Sequence, residues 1–200
     1  MAIKLFLLPL AGWLWFTGRR RAAIGSVLVG AGAMLACWAA IGFRGLRDYP
    51  TVLSRATAMW QSDGPFIQGL MRQLGASRVE AVVVGLAVAV LLFGAAARQA
   101  RVNELGSLAL IISAAIFAAP VSWVMSIALL FPLMAVKAPR FSRPWLIVPL
   151  FWVHWWYSPI PYRSAWLSLV TMMLLALLVV VLQERVVREP QAQLVAARAG

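Results

Sequence analysis

Arginines are concentrated in residues 43–80, the longest interruption between the apolar runs of this 200-residue sequence. A guanidinium group forms two parallel hydrogen bonds to phosphate oxygens, so arginines grouped in one segment suit phosphate binding. The arginines that define this basic rim are Arg44, Arg47, Arg55 and Arg72. The chemistry they indicate is the binding of a lipid phosphate. The alternative is a solvated set of charges that only faces lipid headgroups.

Side chains for acid, base or metal chemistry are few. The sequence has one histidine, His154, and one cysteine, Cys37, and it contains no Ser/His/Asp set and no phosphate-binding glycine loop. None of its six acidic residues lies centrally in an apolar run, which argues against an ion-coupled transporter. Asp48, Asp63 and Glu80 have local explanations as a helix cap, a turn residue and a helix start. We therefore predict no catalytic residue, no metal site and no cofactor.

The composition is that of an integral membrane protein. Hydrophobic residues make up 63% of the chain, charged residues make up 12%, and the mean hydropathy is +0.87. A soluble domain of this length could not bury so many apolar side chains. The net charge of +12 would suggest nucleic acid in a soluble protein, but these charges lie between apolar runs, where they set topology and meet anionic headgroups. We expect membrane lipid, and no nucleic acid, as a partner.

Seven apolar runs are candidate spans, because about 20 apolar residues cross the hydrocarbon core and shorter runs are tolerated beside shielding neighbours. The run from Leu105 to Val136 is too long for one crossing and contains Pro120, so we predict a tight hairpin; one long kinked helix is the alternative. The predicted spans are Ile3–Thr17, Ala22–Gly42, Ala81–Ala97, Leu105–Ala119, Val121–Val136, Trp145–Tyr157 and Ala165–Leu182. The predicted fold class is all-α: a polytopic membrane helix bundle over residues 1–190, followed by a flexible cytoplasmic tail over 191–200.

Basic residues in the loops orient this bundle, because lysine and arginine are enriched on the cytoplasmic side. Ten of them fall on one side: Arg19, Arg20, Arg21, Arg98, Arg101, Lys137, Arg140, Arg143, Arg185 and Arg188. We predict that this side is cytoplasmic, with the N-terminus outside and the C-terminus inside. An N-terminus that is outside without a leader indicates the back part of something larger. A separate N-terminal half or membrane subunit is therefore a candidate partner.

The segment 43–80 then lies outside the membrane and is predicted to contain two amphipathic helices in the interface. The first begins near Pro50, with Asp48 as its N-cap, and places Val52 on its apolar face. The second covers residues 65–74, and Gly75 is its predicted stop.

Three groups of short motifs occur in order along residues 3–140. They are Lys4-Leu5-Phe6 with Pro9 ahead of Arg19-Arg20-Arg21, then the stretch from Ile41 to Pro50, then Ala119-Pro120-Val121-Ser122-Trp123 before Leu129–Pro132. Together they resemble glycosyltransferase family 87, a family of bacterial multispanning enzymes of the GT-C class. The enzymes of this family resemble mannosyltransferases that use polyprenyl-phosphate-mannose as donor.

The resemblance implies a GT-C-like C-terminal half that transfers a hexose from a polyprenyl-phosphate-linked sugar donor on the outer face of the bacterial plasma membrane. It implies that Lys4, Arg44 and Arg47 touch the donor phosphate, and it puts Ser122 and Trp123 in the matching outer motif. With Arg55 from the basic rim, the predicted substrate-binding residues are Lys4, Arg44, Arg47, Arg55, Ser122 and Trp123.

The chain also departs from the family pattern. Ala119 stands where the family has serine, Met125 stands where it has histidine, and the N-terminal half that carries the family's catalytic aspartate has no counterpart. We therefore expect the chain alone to be inactive. The alternative is a non-catalytic lipid-binding or partner-binding membrane protein, a degenerate paralogue. A transporter or flippase is a third hypothesis, which the absence of intramembrane ionisable residues disfavours.

Overall fold

The computed structural model describes residues 8–60, 64–119, 124–138, 140, 142–157 and 165–183, and every regular element in these ranges is helical. The all-α prediction is confirmed for this part of the chain. The α-helices are α1 (Leu8–Phe16), α2 (Arg20–Ala40), α3 (Arg44–Trp60), α4 (Ile67–Gln73), α5 (Arg78–Gln99), α6 (Glu104–Ala118), α7 (Phe131–Lys137), α8 (Ile147–Tyr157) and α9 (Ala165–Gln183). Two 3₁₀ helices cover Val124–Leu130 and Arg143–Leu146.

Three helices, α2, α5 and α9, are long and apolar enough to cross a membrane. They correspond to the second, third and seventh predicted spans. The other predicted spans coincide with shorter helices: α1 has 9 described residues, α6 has 15, and the remaining two spans are divided between 3₁₀ and α segments. Among the described residues, length and composition therefore support three crossings, and seven remain a prediction.

The chain leaves the helical conformation directly after α6. Ala119 has an extended backbone, with φ −69° and ψ 126°, and the next helical segment starts at Val124. Lys137, at the end of α7, donates a hydrogen bond to the carbonyl of Val181 near the end of α9. Because α9 ends beside the start of α6, residues 124–137 run antiparallel to α6. The chain therefore turns back after α6, which excludes the single long helix; the turn itself, residues 120–123, lies outside the described residues, and two membrane crossings here remain a prediction.

Helices α5 and α6 pack against each other as an antiparallel pair along a seam of small residues. Small side chains let two helix backbones approach closely, which favours association where hydrophobic burial alone gives little gain. The buried small residues of α5 are Ala81, Gly85, Ala89 and Ala96, and on α6 the Ser107 hydroxyl donates to the Ala96 carbonyl at 2.8 Å. The opposite side of α5 is uncovered, so α6 is the central helix, between α5 on one side and α1 and α9 on others.

One end of the bundle, which we call the Glu104 end, joins the loops that follow α1 and α5 to the end of α9. The Arg19 guanidinium forms an ion pair with Glu104 at 2.9 Å. Asn103 caps α6 by accepting from the Gly106 amide at 2.9 Å, and its Nδ2 donates to the Gln183 carbonyl at 3.0 Å. These contacts bring short basic loops together at one end of the bundle. The predicted topology requires such loops to lie on the same side.

The opposite end, which we call the Gln68 end, is closed by α4. The Gln68 side-chain amide donates to the carbonyl of Phe117 at 3.1 Å, and this carbonyl is among the last four of α6, which lack a partner within their own helix. Ser168, in the first turn of α9, donates to Oε1 of Gln73 at 3.0 Å. Phe66 is 3% exposed and Leu70 is 7% exposed. Helix α4 thus packs Phe66 and Leu70 against the bundle, whereas Leu74 of the same predicted stripe is 66% exposed; a position in the interface remains a prediction.

The end of α4 is as predicted. Gly75 has φ +90°, and its amide and that of Ala76 donate to the carbonyls of Arg72 and Met71, which satisfies two carbonyls at the end of the helix. A side chain at Gly75 would strain this left-handed conformation, so glycine ends the helix here. The capping box between Ser77 and Glu80 then starts α5, and the interpretation of Glu80 as a helix-start residue is confirmed.

Candidate lipid-phosphate site

Helix α3 carries most of the predicted phosphate-binding residues, and a tight turn connects it to α2. Gly42 has φ +71° and Phe43 has φ +58°, and the Phe43 amide donates to the Trp38 carbonyl at 2.8 Å. The first turn of α3 then packs on the Trp38 indole, which makes an edge-to-face contact with Tyr49 at 6.3 Å between ring centroids. A Cβ at Gly45 would lie 2.5 Å from an indole carbon of Trp38, so glycine permits this close approach.

The predicted start of α3 is wrong. The helix begins at Arg44 and continues through Pro50, so Asp48 is an interior residue and does not cap it. Proline in a helix interior removes one backbone hydrogen bond, which made Pro50 a reasonable sequence signal for a helix start. The contact of the first turn with Trp38 of α2 explains why the helix forms ahead of Pro50. This contact is tertiary and has no signature in the local sequence.

Three of the predicted residues share one face of this helix. At 3.6 residues per turn, Arg44, Arg47 and Arg55 fall within an arc of about 80°, and Asp48 lies at the edge of that arc. The described side chains, Arg47, Asp48 and Arg55, are all exposed, and none of them makes an ion pair with a described residue. The side chain of Arg44 lies outside the described atoms. The helix therefore presents cationic groups that are free to bind an anion.

The face of α3 opposite the arginines is largely apolar and mostly exposed, although Thr57 on it is buried. Leu46 is 45% exposed and Leu53 is 39% exposed on this side, and Val52 and Met59, 59% and 64% exposed, lie between it and the arginines. Apart from its first turns against α2, α3 makes few contacts with the described bundle. A helix with one basic face and one largely exposed apolar face suits a position in a membrane interface, with the apolar face in the acyl region and the arginines among phosphates.

The remaining predicted site residues are not among the described residues of this face. Lys4, Ser122 and Trp123 lie outside the described residues. Arg72 is on α4, where its guanidinium donates to the Ala76 carbonyl at 2.5 Å and helps to end that helix. The basic rim is therefore reduced, among the described side chains, to Arg47 and Arg55, with Arg44 adjacent on the same helix.

Two glutamines that the sequence analysis did not single out organise the Gln68 end. Gln68 is 3% exposed and reaches the end of α6, while Gln73 bonds Ser168 of α9. A Cβ at Gly85 would lie 2.7 Å from Cγ and Nε2 of Gln68, so this glycine makes room for the Gln68 side chain. The sequence carries no clear signal for these contacts, because helical spacing places both glutamines off the apolar stripe, where polar side chains usually face solvent.

The described part of the chain contains no group of three or more His, Cys, Asp or Glu residues that could hold a metal ion. Of its carboxylates, Glu80 is engaged in the capping box and Glu104 in the ion pair with Arg19. Asp48 is exposed on α3. The side chain of His154 lies outside the described atoms.

We expect replacement of Gly45 by leucine to detach α3 from α2, because the new side chain overlaps the Trp38 ring and overpacking at such a contact costs about 1–3 kcal/mol. The rate of tryptic cleavage after Arg47 in the detergent-solubilised protein, followed by mass spectrometry, should rise at least ~5-fold. Gly32→Leu is the control, since a Cβ at Gly32 meets no atom within 4 Å. Equal cleavage rates in the two variants would contradict the contact.

Over the residues that the structure describes, the fold and this site define a class: an all-helical protein with three helices long and apolar enough to span a membrane, and with an amphipathic basic helix beside them. Comparison of the chain with family models, curated proteins and solved structures finds no match.

Proposed function

We propose that this chain is the C-terminal membrane portion of a glycosyltransferase that uses a polyprenyl-phosphate-linked sugar and acts on the outer face of the bacterial plasma membrane. The observation that carries the proposal is the set of three arginines on one face of α3, a helix whose other face is apolar and largely exposed. In this proposal the arginines neutralise the donor phosphate as the sugar leaves it. Lys4, Ser122 and Trp123 complete the site, and the family resemblance is the basis for including them.

The proposed topology places the Gln68 end outside and the Glu104 end in the cytoplasm. Its support is the grouping of the short basic loops at the Glu104 end, where Arg19, Arg98, Arg101 and Lys137 are found. Helix α2 starts at that end and is 21 residues long, so it reaches about 30 Å away. Helix α3 would then lie at the outer surface. The N-terminus would be outside and the C-terminus inside.

A non-catalytic lipid-binding protein is the second candidate. It is favoured by the engagement of Glu80 and Glu104 in structural contacts, which leaves Asp48 as the described carboxylate on the arginine face of α3. In this case α3 would bind the phosphate of a membrane lipid without group transfer. A partner-binding role fits the same arrangement, with a second membrane subunit as the partner.

The experiment that tests both candidates is transfer of labelled mannose from polyprenyl-phosphate-mannose to lipid acceptors. Membranes containing this chain alone would be compared with membranes that also contain a candidate N-terminal half with a loop aspartate. We expect transfer only when both parts are present, and loss of that transfer in the variant R47Q/R55Q. The variant R98Q/R101Q removes the same charge at the Glu104 end and should remain active.

Other outcomes separate the alternatives. Transfer by the chain alone that is abolished by Asp48→Asn would assign the general base to Asp48. Binding of the polyprenyl phosphate without transfer in any combination would favour the lipid-binding protein. Absence of both binding and transfer would contradict both candidates, and uptake of a labelled solute into vesicles would then favour a transporter.

A further inference from the structure

Helices α1 and α2 enclose an apolar groove that plays no part in the proposed function. The groove has a volume of about 400 Å³, and its walls include Ala11 and Trp15 of α1 and Ala23, Ile24 and Val27 of α2. Ala23 is buried between the two helices, while Ile24 is 52% exposed and Val27 is 45% exposed. The groove is therefore open along Ile24 and Val27, where a hydrocarbon chain has access to it.

A cationic group lies at one end of this groove. The Arg20 guanidinium is placed over the ring of Trp15, 5.3 Å from the ring centroid, and Trp15 is one wall of the groove. Arg20 also lies four residues before Ile24 and seven before Val27, so the three share a face of α2. Arg21 is adjacent and exposed.

The three consecutive arginines at the start of α2, Arg19, Arg20 and Arg21, differ in whether an acidic residue pairs with them. Arg19 is paired with Glu104 at 2.9 Å. Neither Arg20 nor Arg21 makes an ion pair with a described residue, and both are exposed. The start of α2 therefore retains about two positive charges, directly beside an apolar groove, that no described residue pairs with, which matches a ligand with an anionic head and a hydrocarbon tail.

We propose that this groove is a binding site for an anionic glycerophospholipid of the leaflet at the Glu104 end. One acyl chain occupies the groove between Ala11 and Val27, and the lipid phosphate contacts Arg20 and Arg21 at its mouth. The lipid holds α1 against α2 from the membrane side, in addition to the direct contact at Ala23. The site lies at the opposite end of the bundle from the lipid-facing arginines of α3, and it does not depend on the proposed glycosyltransferase function.

Lipid titration of the purified full-length chain in detergent, followed by native mass spectrometry, tests this site. Phosphatidylglycerol and phosphatidylcholine with identical acyl chains are the probes. We expect phosphatidylglycerol to bind about 10-fold more tightly, since each basic residue at a membrane surface strengthens binding of an anionic lipid several-fold. The variant R20Q/R21Q should lose this preference. The variant R98Q/R101Q, which removes two exposed arginines at the same end but away from the groove, should retain it.

A second pair of variants tests the groove itself. Val27→Trp fills the groove and should weaken binding of both lipids, whereas Val29→Trp, at a position that is 72% exposed and outside the groove walls, should not. Both substitutions are at exposed positions, and the circular dichroism of each variant reports whether α2 remains helical. An equal loss of preference in R20Q/R21Q and R98Q/R101Q would overturn the proposal, because it would indicate diffuse charge. No preference in the unmodified chain would also overturn it.

Discussion

Replacement of Gly85 by valine is expected to lower the thermal unfolding midpoint of the solubilised protein by about 5–10 °C. The glycine lies on the face of α5 that meets Gln68 and the end of α6. A Cβ there would be 2.7 Å from the Gln68 side chain and 2.9 Å from the Phe117 carbonyl oxygen. Valine therefore forces Gln68 out and leaves α6 carbonyls without their donor, and a buried polar group that loses its partner adds to the cost.

The control for this prediction is Gly94→Val in the same helix. A Cβ at Gly94 meets nothing within 4 Å, so the intrinsic effect of valine in α5 is the same but the packing conflict is absent. We expect the Gly94 variant to melt within about 2 °C of the unmodified protein. The thermal unfolding midpoints of both variants and of the unmodified protein would be measured in the same detergent at the same protein concentration. A Gly85 variant that is as stable as the Gly94 variant would contradict the docking of α4 through Gln68.

The affinity for polyprenyl phosphate should fall at least ~10-fold in the double variant R47Q/R55Q. Each arginine on the exposed face of α3 can give a charge-assisted hydrogen bond to a phosphate oxygen, and such bonds contribute about 1.5–3 kcal/mol. Glutamine keeps a polar side chain of similar length and a good helix propensity, so the helix should persist. The affinity for the uncharged polyprenol should not change, because the apolar face of α3 is intact.

The double variant R98Q/R101Q provides the matched control, since both side chains are exposed and lie at the Glu104 end. Binding would be measured by equilibrium titration into nanodiscs of zwitterionic lipid at about 0.15 M salt, where distant charges are screened. A fall of equal size in the two double variants would show that overall charge, rather than the α3 face, attracts the lipid. Unchanged affinity in R47Q/R55Q would remove these arginines from the donor site.

Gly75 and Glu80 show where local sequence is sufficient to predict structure. Gly75 ends α4 because only a residue without a Cβ adopts its backbone conformation easily, and Glu80 joins Ser77 in a box formed by residues three apart. The helical class is equally local, since long apolar runs without strand alternation predict helices wherever they are placed. The basic, amphipathic character of the segment that contains Arg47 and Arg55 also follows from residue spacing alone.

The positions of α3 and α4 required the tertiary structure. The start of α3 depends on the fit of Gly45 against Trp38 of α2, so Pro50 was a misleading signal. The docking of α4 depends on Gln68 reaching the end of α6, 49 residues further along the chain. An apolar stripe on a short helix is satisfied equally by lipid and by protein, because both are apolar surroundings, and periodicity cannot distinguish them.

The length of each helix likewise depended partly on the sequence and partly on the tertiary structure. Hydropathy located all the apolar runs, but the number long enough to cross a membrane is three among the described residues, because helix ends depend on packing as well as composition. The sequence by itself thus determined the helical class, the apolar runs and the local stops. The tertiary structure decided which residues contact one another at the Glu104 end and at the Gln68 end, because hydrogen bonds such as Asn103 to Gln183 join residues 80 positions apart.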